Sequence, residues 1–228
     1  MLFRSLAAGV THLVVDMPVG ATAKVRSKEA AEALSRSLMD VGASFGLTVR
    51  TVMSDGSQPV GRGIGPALEA RDVMAVLQNK PDAPQDLRER ALALAGPILE
   101  LGGAAREDTG LKLAAETLVS GRAWEKFQRI CEAQGGMRTP RVAPYRRVVS
   151  TTHAGLVIHF DNRRLAKVAK LAGAPDDTAA GLELHVRLGE RVEAGQPLYT
   201  VHAESSGELA YALAFARANP DIIGLVAS

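Results

Sequence analysis

The chain has 228 residues, of which 46% are hydrophobic, 23% charged and only 4% aromatic, a length that suits one large or two small domains. Its 27 Lys and Arg against 25 Asp and Glu leave a formal charge of +2 with no basic run or stripe, which argues against nucleic acid as a partner. A single cysteine, Cys131, excludes an internal disulfide, and the apolar stretches are too short and too broken by charge for a signal peptide or a membrane span, so a soluble, cytoplasmic protein is expected.

In chain order, Thr11 to Met17 is an apolar, β-branched run between Gly9 and Pro18 and reads as a buried strand. After the small-residue loop Val19 to Ala23, Ser27 is placed to cap a helix in which Ala30, Leu34, Leu38 and Val41 recur every three to four residues. A second strand, Leu47 to Met53, follows. Strand, helix, strand is the unit of a parallel sheet, whose ligands gather at the carboxyl ends of the strands, and Asp55 stands at such an end. The glycine-rich stretch Gly56 to Gly65 leads into a helix opened by Pro66 and running to about Gln78. Further helices are predicted at Gln85 to Leu101, Gly110 to Val119 and Gly121 to about Glu132. Helices stop around 137–144, and the remainder reads as strands at Arg146 to Thr151, Gly155 to Asp161, Leu182 to Val186 and Gln196 to Ala203, with helices at Arg163 to Leu171 and Gly207 to Ala218. The expected fold class is α/β: a parallel or mixed sheet with flanking helices, then a β-rich α+β C-terminal subdomain, divided at 136/137.

The residues by themselves leave the chemistry open. Gly61-Arg62-Gly63-Ile64-Gly65 precedes a helix without the G-x-G-x-x-G spacing or a Walker lysine, so it is either a structural turn or an anion-binding one. Asp55 is either an Asx-turn residue or a carboxylate placed as general acid or substrate contact. His12, His153, His159, His185 and His202 show no metal-ligand spacing, and no metal site is expected. Trp124 and Phe127, three apart, read as a contact on one helix face, and Cys131 as a packed residue. The segment Leu188 to Leu198 is similar to a half-repeat of biotinyl and lipoyl carrier domains, but no lysine stands in an exposed hairpin between two such halves.

Taken together, Leu6-Ala7-Ala8-Gly9, Val14 to Gly20, Ala23-Lys24-Val25, Ser54 to Pro59 and Gly63 to Val73 resemble the thymidine/pyrimidine-nucleoside phosphorylase family, nearest its AMP phosphorylase-like branch. Gly121 to Trp124, Ala133 to Gly136 and Leu188 to Leu198 continue the resemblance over nearly the whole chain. It implies phosphorolysis of a nucleoside or nucleotide to a base and a sugar 1-phosphate, with phosphate as co-substrate, no cofactor and a homodimer in the full-length family. It also implies that Asp55 is the proton donor and that Arg4, Lys24, Ser57 and Gly63 are substrate-binding positions. Arg4 stands where the family has the first lysine of a Ser-rich, Lys-Lys segment, and Lys24 where the thymidine-preferring branch has an aromatic residue, which suits a more polar or phosphorylated substrate. The family's phosphate loop and helical lobe precede the stretches matched here. The expectation is therefore a later half of the α/β lobe at 1–136, a β-rich subdomain at 137–228, and no turnover by this chain alone. The alternative is a non-catalytic nucleotide- or base-binding module.

Overall fold

The computed structural model describes residues 6–226. They are mixed α/β, with parallel and antiparallel sheets and a β-rich C-terminal region. The fold separates into two compact units, one made of the residues through Gly56 with Asp86–Phe127, the other of Ser57–Gln85 with the residues from Gln128 onward.

The first unit is built on the predicted strand-helix-strand. Strands β1 (His12–Val19) and β2 (Thr48–Asp55) pair in parallel, in a register that runs from His12 opposite Thr48 to Val19 opposite Asp55. Helix α1 (Lys28–Ser44) connects them, opened by Ser27, whose hydroxyl accepts from the Ala30 amide at 3.2 Å. Removing that acceptor by Ser27→Ala is expected to destabilise the unit by about 1 kcal/mol, measurable as a small shift in its urea midpoint. Alternate residues Val15 and Met17 of β1 turn inward against Ala31, with Leu13, Val19, Leu38 and Val49 around them. Two more helices belong to this unit, α3 (Gln85–Leu101) and α4 (Gly110–Val119), which cross where glycine replaces side chain: a Cβ on Gly110 would stand 2.2 Å from the Gly96 carbonyl oxygen. Glu100 of α3 caps α4 by accepting from the Gly110 amide at 3.0 Å, and its other oxygen pairs with Arg50 at 2.6 Å.

The second unit holds the larger core. One antiparallel sheet has the order β3-β6-β8-β4, made of β3 (Gly63–Ile64), β6 (Gly181–Leu184), β8 (Pro197–Ala203) and β4 (Tyr145–Ser150). The other has the order β7-β5-β9, made of β7 (Arg191–Val192), β5 (Gly155–Phe160) and β9 (Ile223–Val226). Helices α2 (Pro66–Leu77), α6 (Asn162–Leu171) and α7 (Ser206–Ala218) complete it, while α5 (Arg122–Ala133) runs across the division between the units. Leu165, Val168, Ala169 and Ala172, spaced for one helix face, pack with Phe160, Leu182, Leu184, Val201 and Ile222. The central strand β8 is buried from Leu198 to Ala203, as a strand flanked on both edges must be.

The predicted helices stand in place with ends moved by a residue or so. Two short strands were not predicted: β3 is two residues long, and β9 follows directly on a 3-10 turn at Pro220–Ile222. Pairs of residues carry no periodicity to read; their partners across the sheet make them strands. Among the described residues no helix is long and apolar enough to cross a membrane.

Candidate functional site

The carboxyl ends of β1 and β2 are held together by side chains. Asp16, on β1, accepts from Arg90 of α3 at 2.8 Å through one oxygen and from the Ser54 hydroxyl of β2 through the other. The second guanidinium nitrogen of Arg90 donates to the backbone carbonyl of Asp55. The pair is largely shielded, with Arg90 15% and Asp16 26% exposed, so the two charges attract through a medium poorer in water than the surface. Just beyond, the Gly56 amide donates to the Val19 carbonyl at 2.8 Å. Gly56 is wedged against Pro18 and Ala23, where a Cβ would meet both at 3.1 Å.

That wedge folds the loop after β1 over the strand ends. The Gly20 amide donates to the Val25 carbonyl, and Val25 bridges to Val19. Lys24 therefore comes to the same end of the sheet as Asp55, and both are exposed. A carboxylate and an ammonium presented at the mouth of parallel strands can bind and protonate a polar ligand. Sequence reasoning passed over Asp16, Ser54 and Arg90. Asp16 was the one acid in an apolar strand, a readable signal, whereas nothing in the chain relates Arg90 to a carboxylate 74 residues away.

Ser57 and Gly63 belong to the second unit. The glycine-rich stretch there is occupied by its own protein groups. The amides of Arg62 and Gly63 both donate to one carboxylate oxygen of Asp72, at 2.6 and 2.7 Å, and the Gly65 amide donates to Glu69 at 2.9 Å. Ala67, at the start of α2, donates to the Thr178 carbonyl at 2.9 Å. Arg187 donates to the carbonyls of Pro59 at 3.0 Å and Gly61 at 2.7 Å, and the Leu188 amide donates to the Gln58 side chain. Donors that would turn toward an anion are thus already satisfied by carboxylates and carbonyls. The glycines serve close approach: a Cβ on Gly63 would stand 2.5 Å from the Leu68 backbone carbon. Ser57 is half-buried, and Arg4 lies outside the described residues.

Among the described residues no group of three or more His, Cys, Asp or Glu is placed to hold a metal ion. His202 on β8 is 3% exposed and stands 3.4 Å from Glu183 of β6. Its imidazole holds the Glu183 carboxyl below the usual carboxylate range, with smaller help from His185 and Arg71. A depressed carboxylate adds stability that is present above its unfolded value and is lost as pH falls through the lower folded one. Glu183→Gln should therefore lower stability at pH 7 by well under about 1 kcal/mol, the contact being half-exposed and screened. The difference in urea midpoint between parent and variant should shrink as pH falls through the lowered folded value of Glu183 and vanish below it. Trp124 and Phe127 stack at 5.9 Å as expected, but both are only half-buried, as is Cys131, and α5 buries none of its residues.

Residues 156–222, from β5 through α7 to the 3-10 turn, match the family profile of the pyrimidine nucleoside phosphorylase C-terminal domain. A protein of Tolumonas auensis named "Putative thymidine phosphorylase" is 58% identical over 225 residues, which are 99% of this chain and 45% of that protein. One of the same name from Parvibaculum lavamentivorans is 58% identical over 98% of this chain and 44% of its own length. "Putative thymidine phosphorylase 1" of an Acidovorax species is 60% identical over 97% and 43%. The chain spans somewhat under half the length of these relatives. Along nearly its whole length the chain is thus similar to one portion of proteins named as putative thymidine phosphorylases, and its residues 156–222 carry the match to the pyrimidine nucleoside phosphorylase C-terminal domain.

Proposed function

We propose that this chain supplies the base side of a phosphorolytic site, with residues 1–136 the later part of the α/β lobe and 137–228 its β-rich C-terminal subdomain. In the reaction a phosphate oxygen forms a bond to the anomeric carbon of a nucleoside or nucleotide. The glycosidic C–N bond breaks with its electron pair going to the base, which takes up a proton. Asp55 is the proton donor, and Lys24, with Arg4, meets a polar or phosphorylated part of the substrate. Ser57 and Gly63 line the same loop in sequence.

The observation that carries this division of labour is the state of the glycine-rich loop. Its amides at Arg62, Gly63 and Gly65 are taken by Asp72 and Glu69, so the loop has little to offer a phosphate, and phosphorolysis needs a preorganised anion cradle. The reading assigns that cradle to residues other than those of the loop, and assigns binding without turnover to this chain alone. The same observation suits the second reading, a nucleotide- or base-binding module with no chemistry in any context.

The test is to incubate the 228-residue chain with phosphate and either AMP or thymidine, following released base by chromatography, and to titrate the same ligands by calorimetry. Saturable binding without enzyme-like base release is expected, and Asp55→Asn should weaken binding roughly 10-fold, as loss of a charged hydrogen-bonding group does. Turnover at an enzyme-like rate would overturn the incomplete site. No heat with any nucleoside, nucleotide or base would overturn the base-side assignment. Activity on reconstitution with the remaining portion of the Tolumonas auensis relative separates the phosphorylase reading from the module reading.

A further inference from the structure

A cavity of about 620 Å³ lies wholly within the second unit, and neither Ser57 nor Gly63 of that unit lines it. Arg147 and Val149 of β4, Tyr199 of β8, Leu213 and Arg217 of α7 and Leu225 of β9 are among the residues that line it. Both β4 and β9 are edge strands of their sheets, so the inter-sheet core stays open along this side. Its size is that of sites for small organic ligands, about 300–1,000 Å³.

Three features specify what such a ligand would be. Most of the lining between the edge strands is aliphatic, from Val148, Val149, Leu198, Leu213, Ile222 and Leu225. Tyr199, 3% exposed, brings a phenol hydroxyl to the lining. Burial pushes its pKa up to about 12, which keeps it a donor at neutral pH. Third, the charge is one-sided. The one acid of the lining, Asp221, is neutralised by Arg164, which donates to both of its oxygens at 2.8 Å, whereas Arg147 and Arg217 have no carboxylate partner among the described residues.

We propose that this cavity binds a small amphipathic carboxylate, its apolar body between Val149, Leu213 and Leu225 and its head group met by Arg147, Arg217 and the Tyr199 hydroxyl. None of the residues assigned to phosphorolysis takes part.

Calorimetric titration of the full chain with octanoate, octanol and octyltrimethylammonium tests it. Octanoate is expected to bind at one saturable site, at least about 10-fold more tightly than octanol, because arginine–carboxylate contacts are charge-assisted, and the ammonium is expected not to bind. Tyr199→Phe keeps the ring and removes the donor, and should weaken octanoate roughly 3- to 10-fold. Arg147→Gln with Arg217→Gln, both exposed positions, should abolish the preference over octanol and keeps the test open if Tyr199→Phe does not fold. Absence of octanoate binding, equal affinity for all three amphiphiles, or indifference to both sets of substitutions would overturn the proposal. So would dimerisation in sedimentation that the same substitutions abolish in a chain that ignores octanoate, since a second copy would then be the occupant.

Discussion

Gly181→Ala is expected to destabilise the second unit by more than about 4 kcal/mol, the upper range for single substitutions. Gly181 has φ +147, and a Cβ there would stand 2.0 Å from the Ile64 carbonyl oxygen and 3.0 Å from its carbon. Neither neighbour can step aside. Gly63 and Ile64 are held in register with Glu183 and Leu182, and the opposing chain is equally tight, with a Cβ on Gly65 falling 2.3 Å from the Ala180 carbonyl oxygen. The added methyl therefore meets backbone on a paired strand rather than the end of a movable side chain, and the cost combines steric overlap with a disfavoured backbone region. Gly189→Ala is the control. Its φ is +85 with nothing within 4 Å of a Cβ, so it should lose only about 1 kcal/mol, from backbone strain. Urea unfolding of both variants, followed by circular dichroism, makes the comparison; equal losses would show that the β3–β6 approach is not what requires glycine at 181.

Asp16→Ala is expected to cost the first unit about 2–4 kcal/mol. The substitution leaves the Arg90 guanidinium and the Ser54 hydroxyl without their shared acceptor in a largely shielded position, and an orphaned charge is the expensive part of breaking such a pair. The figure lies below that of a fully buried pair because Asp16 retains some exposure. Arg90→Met should produce a similar loss while keeping most of the aliphatic volume, and the double variant should lose far less than the sum, because one interaction is being removed twice. Hydrogen exchange of the β2 amides should quicken toward Asp55, whose carbonyl accepts from Arg90. Additive losses with unchanged β2 exchange would mean that Asp16 and Arg90 do not tie the strand ends together.

Much of this architecture was legible before any coordinates. The β1-α1-β2 unit followed from a β-branched run, a capped amphipathic helix and a second run, because each is a local pattern with its own period. The Pro66 opening of α2 and the face Leu165, Val168, Ala169 of α6 were equally local. The first residue of α7 was read one position late, although Ser205 and Glu208 form a readable capping pair: the Ser205 hydroxyl accepts from the Glu208 amide at 3.2 Å and donates to its carboxylate at 2.7 Å. A helix through Pro97 was also expected and is present, with Gly96 beside it packed on the backbone of α4.

The site was legible only in part, and the boundary is physical. Asp55 could be named as a candidate from its place at a strand end, and Lys24 only from the family resemblance. Their support could not, since Arg90 reaches Asp16 across 74 residues and no periodicity encodes that distance. The glycine-rich loop shows the same limit from the other side. Its composition allowed both an anion cradle and a tight turn, and the choice depended on where Asp72, Glu69, Thr178 and Arg187 would place their oxygens and nitrogens.

What the sequence by itself determined is therefore the set of local elements, the size and charge class, and the family resemblance, all of which rest on short-range patterns of polarity, shape and identity. The tertiary structure decided which donors are already spent, which glycines are required by a neighbouring strand, and that Tyr199 lines a cavity together with Arg147 and Arg217. Those are properties of distances between residues far apart in the chain, and they come into being only when the chain packs.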